Sequence, residues 1–303
     1  MPQWPDALAP AYDACEALAR AHYENFPVAS RLLPPAMRPH VAAVYAFARV
    51  ADDIADEGVE AGNARRVRLH AWQEQLHAAV AAESADIRDV SDRGHLIVSA
   101  VAHSIRSLEL PIALFDDLIS AFDQDTMTAR YASWRDVFDY CRRSANPVGR
   151  LVLLIAGYRD EAIARSSDAL CTALQLTNFW QDFGRDWRAG RLYVPGDVRD
   201  ACGAVEADLT SGTMTPAWAR AVEACAEVTR VRFDEGRSVC DGVHGRLRLE
   251  LRVTWLGGRR ILERIERRPM ALLHERPTLG AADLPGLLMG AACWRGARAQ
   301  SED

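Results

Sequence analysis

The chain has 303 residues, a formal net charge of −6 and a 49% hydrophobic composition, and all 36 of its basic side chains are arginine. Such a length accommodates one large core or two small ones, and such a composition is that of a soluble globular protein. The negative charge excludes nucleic acid as a partner of the whole molecule, and any anion that does bind is met by guanidinium forks rather than ammonium groups.

The first twenty residues, MPQWPDALAPAYDACEALAR, hold no basic stretch followed by an apolar run, so no signal peptide is expected. Helical periodicity then covers roughly 5–23, 36–57, 62–83, 93–108, 111–123, 134–157, 160–188, 215–241, 245–268 and 281–297. Breakers fall at the ends of these runs: Pro34-Pro35, Gly58, Pro111, Gly190, Gly196, Gly212, Gly242 and Pro277. No segment keeps a strand alternation. The longest apolar runs, such as LVLLIAG (151–157), fall short of the ~20 residues that span a bilayer. With no linker or low-complexity tract, the expectation is a single all-α domain, 1–303, packed as a helical bundle. Seven cysteines, odd in number and without a CxxC, read as buried thiols in a reducing, cytoplasmic compartment.

Within the 36–57 run, VYAFARVADDIADEG places Tyr45, Arg49, Asp52 and Asp56 at spacings of 4, 3 and 4, on one helix face. Within the 160–188 run, ALQLTNFWQDFGRDW places Gln175, Asn178, Asp182 and Asp186 at spacings of 3, 4 and 4. Carboxylates at i, i+4 repel, and apolar neighbours such as Val41, Val44, Phe47 and Ile54, or Leu170, Leu174, Leu176 and Phe179, worsen the repulsion. A divalent cation reverses its sign. Mg²⁺ prefers oxygen ligands and is commonly held by one or two carboxylates plus substrate phosphates. A single DxxxD is usually a solvated helix face; two of them, each with polar partners in register, point to several Mg²⁺ ions and a diphosphate held between facing helices. Arg49 adds a planar fork suited to phosphate oxygens.

The 134–157 run contains YCRRSANPVG (140–149). A proline inside a helix costs roughly 3 kcal/mol, so Asn146-Pro147 marks either a plain boundary or a functional break. In the second case the Arg143 carbonyl loses its helical donor. That carbonyl, the Asn146 amide and the Ser144 hydroxyl are then groups able to hold a water. The arginines of 246–268 read mainly as partners of Glu250, Glu263 and Glu266, with Arg259 and Arg260 left open as a phosphate or membrane-facing patch.

AVYAFARVADDIADE together with QLTNFWQDFGRDWRAGRLYVP (175–195) resembles the squalene and phytoene synthase family of head-to-head prenyl synthases, over about residues 18–270. The resemblance implies an isoprenoid-synthase bundle with a central cavity and Mg²⁺-dependent ionisation of prenyl diphosphates. It implies Asp52, Asp56, Asp182 and Asp186 as metal-binding carboxylates, with Asn178 beside them. It implies His22, Tyr45, Arg49, Gln175, Asn178, Arg191 and Tyr193 as diphosphate or substrate contacts, and Arg143 is a further candidate contact. The family pattern Tyr-Cys-x-Tyr-Val-Ala-Gly-x-Val-Gly is altered here. Arg143 replaces the second tyrosine, which the family associates with joining two farnesyl diphosphates. HYENFPVASRLLP, CRRSANPVGR and FWQDFGRDW resemble the branch that ionises presqualene diphosphate and quenches the cation with water to give hydroxysqualene, with no NADPH or FAD. That branch implies a presqualene diphosphate synthase upstream, a hydroxysqualene reductase downstream and peripheral membrane contact at the inner face. Within the family, presqualene diphosphate, dehydrosqualene or phytoene-type synthesis and a non-catalytic assembly factor are the alternatives.

Overall fold

Several helices begin where the sequence offers a cap for the first free N–H groups. In a computed structural model of the chain, which describes residues 6–21, 32–56, 62–82 and 92–294, Asp92 accepts from the His95 N–H and Asp160 from those of Ala162 and Ile163. Ser133 and Asp136 form a reciprocal capping box. Each such cap contributes about 1 kcal/mol.

The chain falls into two compact units, Met1–Met127 with Pro147–Arg159, and Thr128–Asn146 with Asp160–Asp303. It passes from one to the other after Met127, Asn146 and Arg159, so neither is a contiguous stretch.

The first unit holds α1 (Ala9–Ala21), α2 (Arg38–Asp56), α3 (Gly62–Ala81), α4 (Arg93–Leu108) and α5 (Ala113–Asp125). Helix α2 packs against the other four. Its Val41, Val44, Phe47 and Ile54 are buried, and Phe47 stacks on Trp72 with centroids 5.4 Å apart and meets Phe115 edge-on at 5.5 Å. A buried polar cluster ties α1, α2 and α4. The Tyr12 hydroxyl lies 2.7 Å from His103 Nδ1 and 3.0 Å from Ser104 Oγ, and His40 Nδ1 lies 2.8 Å from Ser104 Oγ. Burial, and then the neighbouring His103, push the His40 pKa down to about 4.

The second unit holds α6 (Trp134–Ser144), α8 (Glu161–Gln181), α9 (Phe183–Arg188), α10 (Gly196–Cys202), α11 (Glu206–Thr210), α12 (Pro216–Gly236), α13 (Val239–Gly242), α14 (Gly245–Arg267) and α15 (Leu284–Ala292). Helix α8 is its axis, packed on α6, α12, α13 and α14. At the α8–α12 crossing Gly236 lets the backbones touch, since a Cβ there would lie 2.5 Å from the Leu170 nitrogen. Trp180 donates to Thr229 Oγ1 across the same crossing at 2.8 Å.

Three expected helices are interrupted. The 134–157 run is two helices, α6 and α7 (Asn146–Ile155). Ala145 closes α6 by donating to the Cys141 carbonyl. Pro147 sits in the first turn of α7, where its missing N–H would have had no helical acceptor. The proline therefore marks a boundary, not a break inside a helix. The 160–188 run is divided at Asp182, and the 215–241 run after Gly236. Among the described residues the one extended pairing is an isolated parallel bridge between Arg130 and Leu192, and no helix is long and apolar enough to cross a membrane.

All seven cysteines are free, but the expectation of burial holds fully only for Cys15, Cys141, Cys225 and Cys240; Cys293, on a short apolar helix end, is exposed. In α14, Arg260 pairs with Glu263 at 3.1 Å and Arg259 with Asp234 at 3.4 Å, so both arginines left open by the sequence have acidic partners.

His40 yields a pH signature. Its folded pKa of about 4 lies below the ordinary 6.5, so between these values the unfolded chain takes up a proton that the folded chain refuses. Stability is expected to fall as pH drops from 6.5 and to level off below about 4. Thermal unfolding across that range should show the slope, and His40→Asn should flatten it.

Candidate active site

Each acidic stripe is described within its own unit. On α2, Arg49 reaches along its own helix to Asp52 (Nη1–Oδ2, 3.1 Å) and to Asp53 (Nη2–Oδ1, 2.5 Å). This follows from the i+3 and i+4 spacing that places one fork against two carboxylates. The Nε of Arg49 is buried and has no acceptor among the described residues. Asp56 is exposed at the end of the helix, and Tyr45 is half-buried one turn before Arg49. Burial raises the Tyr45 pKa, Arg49 lowers it, and Asp52 and Asp53 raise it further, so its phenol stays protonated at neutral pH. His22 lies outside the described residues.

The second stripe survives the interruption of its helix. Asp182 has φ −94° and ψ 11°, yet its N–H still donates to the Asn178 carbonyl (2.8 Å) and its own carbonyl accepts from Asp186 (2.9 Å). The i, i+4 register of Asn178, Asp182 and Asp186 is thereby kept across the kink. Asn178 is exposed, while Gln175, Asp182 and Asp186 are half-buried. Gly184 explains the local shape: the Leu273 carbonyl lies so close to it that any Cβ would collide. The sequence reading missed Arg276, which grips Asp182 with both arms of its fork, Nε–Oδ1 at 2.5 Å and Nη2–Oδ2 at 3.0 Å. Arg185 stands 3.6 Å from the same carboxylate.

Aromatic rings adjoin this stripe. Phe179, about 60° around α8 from Asp182, stacks face to face on Tyr193 at 3.8 Å. Tyr140 and Tyr131 extend the group, with Tyr131 stacked on Tyr193 at 5.5 Å and edge-on to Tyr140 at 5.7 Å. Tyr193, expected as a substrate contact, has its ring buried in this wall. Arg191, half-buried, donates its backbone N–H to the Asp186 carbonyl at 2.7 Å, which fastens the turn that delivers Tyr193.

The YCRRSANPVG residues separate. Arg143 is 13% exposed and pairs with Asp139 at 2.9 Å. Asn146 accepts from Thr172 Oγ1 at 3.0 Å and lines a groove of about 650 Å³ with Arg165, Asp168 and Thr172. That face of α8 lies about 90° from the Gln175–Asn178–Asp182 stripe, so Asn146 stands apart from it. The Ser144 hydroxyl is buried without a partner among the described residues, one turn beyond Tyr140 on the same face of α6.

Among the described residues no group of three or more His, Cys, Asp or Glu side chains forms a self-sufficient metal cage. Sets of two or three hard oxygen donors, with amide and guanidinium groups alongside, fit a Mg²⁺ ion that also takes ligands from substrate phosphate.

The all-helical fold is that of the squalene synthase-type isoprenoid synthases. The chain belongs to the squalene/phytoene synthase family, enzymes acting on prenyl diphosphates, and the family matches residues 19–283. It is 36% identical to hydroxysqualene synthase of Zymomonas mobilis, over 76% of this chain and 74% of that protein. It is 35% identical to hydroxysqualene synthase of Rhodopseudomonas palustris, over 81% and 80%. Among solved structures, squalene synthase HpnC from Alicyclobacillus acidocaldarius matches with a TM-score of 0.79 and 38% identity, over 88% of this chain and 96% of that one.

Because Gly184 lies directly beneath the Leu273 carbonyl, Gly184→Ala is expected to destabilise the second unit by about 1–3 kcal/mol. A fall in Tm of several degrees checks this.

Proposed function

We propose that the protein is a hydroxysqualene synthase, which ionises presqualene diphosphate and adds water to the rearranged cation. The observation that carries this reading is Arg143. It stands where the family's coupling reaction places a tyrosine, and its guanidinium is committed to Asp139. Identity of 35–36% to two hydroxysqualene synthases supports the same choice.

In this mechanism Asp52 and Asp56 on α2, and Asp182 and Asp186 with Asn178 at the α8–α9 junction, are the residues that would hold Mg²⁺, which would supply positive charge to a departing diphosphate. Arg49, whose Nη1 and Nη2 pair with Asp52 and Asp53, offers its positive charge and its unfilled Nε–H to a phosphate oxygen. Tyr45, protonated at neutral pH, donates its phenol hydrogen to the same group. Gln175 serves as a neutral polar contact one turn before Asn178, and Arg191 and Tyr193 follow Asp186 in the same unit as further substrate contacts. The bond from carbon to diphosphate oxygen breaks, and the cyclopropylcarbinyl cation rearranges beside the packed wall of Phe179, Tyr193 and Tyr140, which excludes bulk water. A water then forms the new carbon–oxygen bond and gives up one proton to the released diphosphate. Ser144 holds that water: its hydroxyl is buried, without a partner, and one turn from Tyr140. The Asn146 carbonyl oxygen accepts from Thr172 on the groove face of α8, so we assign Asn146 to the fold of this segment and the water to Ser144. The protein works inside the cell, in peripheral contact with the membrane that receives its apolar product.

Purified protein, Mg²⁺ and presqualene diphosphate, without NADPH, should yield hydroxysqualene and diphosphate, and chelation should abolish the reaction. Asp52→Asn and Asp182→Asn should each lower kcat by about 10²-fold or more. Ser144→Ala should shift product away from the alcohol, while Asn146→Ala should not. Formation of presqualene diphosphate from farnesyl diphosphate would overturn the reading.

A further inference from the structure

The segment after α14 is laid across the α8–α9 junction and fastened there. The Leu273 carbonyl occupies the space above Gly184 and accepts from Arg188 at 3.2 Å. Gln181 donates to the Pro277 carbonyl at 2.6 Å. Farther along, Arg264 donates to the Thr278 carbonyl and pairs with Asp283 at 2.5 Å, and Asp283 accepts from the Gly280 N–H at 2.8 Å. The segment is thus anchored on both sides of residue 276. Between those anchors Arg276 takes both oxygens of Asp182.

A carboxylate whose two oxygens are engaged by one guanidinium has its best lone pairs occupied. A divalent ion needs those same lone pairs, and its charge repels the guanidinium. Metal and bidentate Arg276 therefore compete at Asp182. We infer that Arg276 is a stand-in cation: it neutralises Asp182 until a divalent ion arrives, and the ion must displace it. This inference rests on the reading of Asp182 as a metal ligand. It adds that the strap around residue 276 sets the affinity of the second carboxylate set for metal. The anchors at Leu273, Pro277 and Thr278 do not involve Asp182, so the strap stays in place while the side chain lets go.

The two side chains are 25% and 34% exposed, so the pair is partly screened and its loss changes an equilibrium by about fivefold. Mn²⁺ is the probe, with affinity read from the loss of the free-ion spin-resonance signal and stability read from thermal unfolding of the full chain. Arg276→Gln is expected to lower the metal-free Tm and to bind Mn²⁺ about fivefold more tightly. At saturating Mn²⁺ its Tm should converge on that of the unaltered protein. Arg276→Lys, which keeps the charge but not the fork, should fall between them, and it carries the test if the glutamine variant does not fold. If Arg276 only anchors the strap, the Tm deficit will persist with metal and the affinity will stay equal or weaken, which overturns the inference. If the unaltered protein and both variants all fail to take up Mn²⁺, the metal role of Asp182 falls and this inference with it.

Discussion

Carboxylates held side by side on half-buried helices must be given positive charge, and the rest of this structure is arranged around that requirement. Exposed like-charged pairs at helical spacing cost only a few tenths of a kcal/mol, but burial removes the water that keeps the cost low. The two stripes meet the requirement in different ways. On α2 the counter-charge is local, with Arg49 serving Asp52 and Asp53 from the same helix. At the α8–α9 junction it is remote, because Arg276 arrives from a segment that first had to be packed over Gly184.

That difference decides what could be read from the amino-acid sequence. The α2 stripe, with its arginine in register and its apolar residues on the buried face, follows directly from a period of 3.6, and the long helices follow from the same signal and its breakers. Helices α10 and α11 were not expected because seven and five residues are too few to establish a period. The kink at Asp182 was hidden because it comes from a tertiary contact, the Leu273 carbonyl against Gly184, and nothing in QDFGRDW announces that approach. Arg276 was missed for the same reason: no periodicity connects residues 94 positions apart.

YCRRSANPVG was legible in part. Its departure from the family pattern is visible at Arg143, and the burial of that side chain against Asp139 gives the substitution a structural home. The reading of Pro147 as a break inside a helix treated ten residues as one continuous run. In the fold they straddle a helix end, a helix start and the point where the chain leaves one compact unit for the other. A proline in the first turn costs nothing there. Of the polar groups assembled by that reading, the partnerless Ser144 hydroxyl keeps its capacity to hold a water, while Asn146 is spent on Thr172.

The remote placement of Arg276 also orders events during synthesis on the ribosome. Arg49 emerges with Asp52 and Asp53, so both carboxylates of that cluster have a cation beside them as soon as α2 coils. Asp182 emerges 94 residues ahead of its partner, and at ~5–20 residues per second the interval is about 5–20 s. Throughout that time α8 must pack on the growing second unit while Asp182 has Arg185 beside it but not yet the fork of Arg276. The end of α8 is therefore completed by a segment that is among the last to be made.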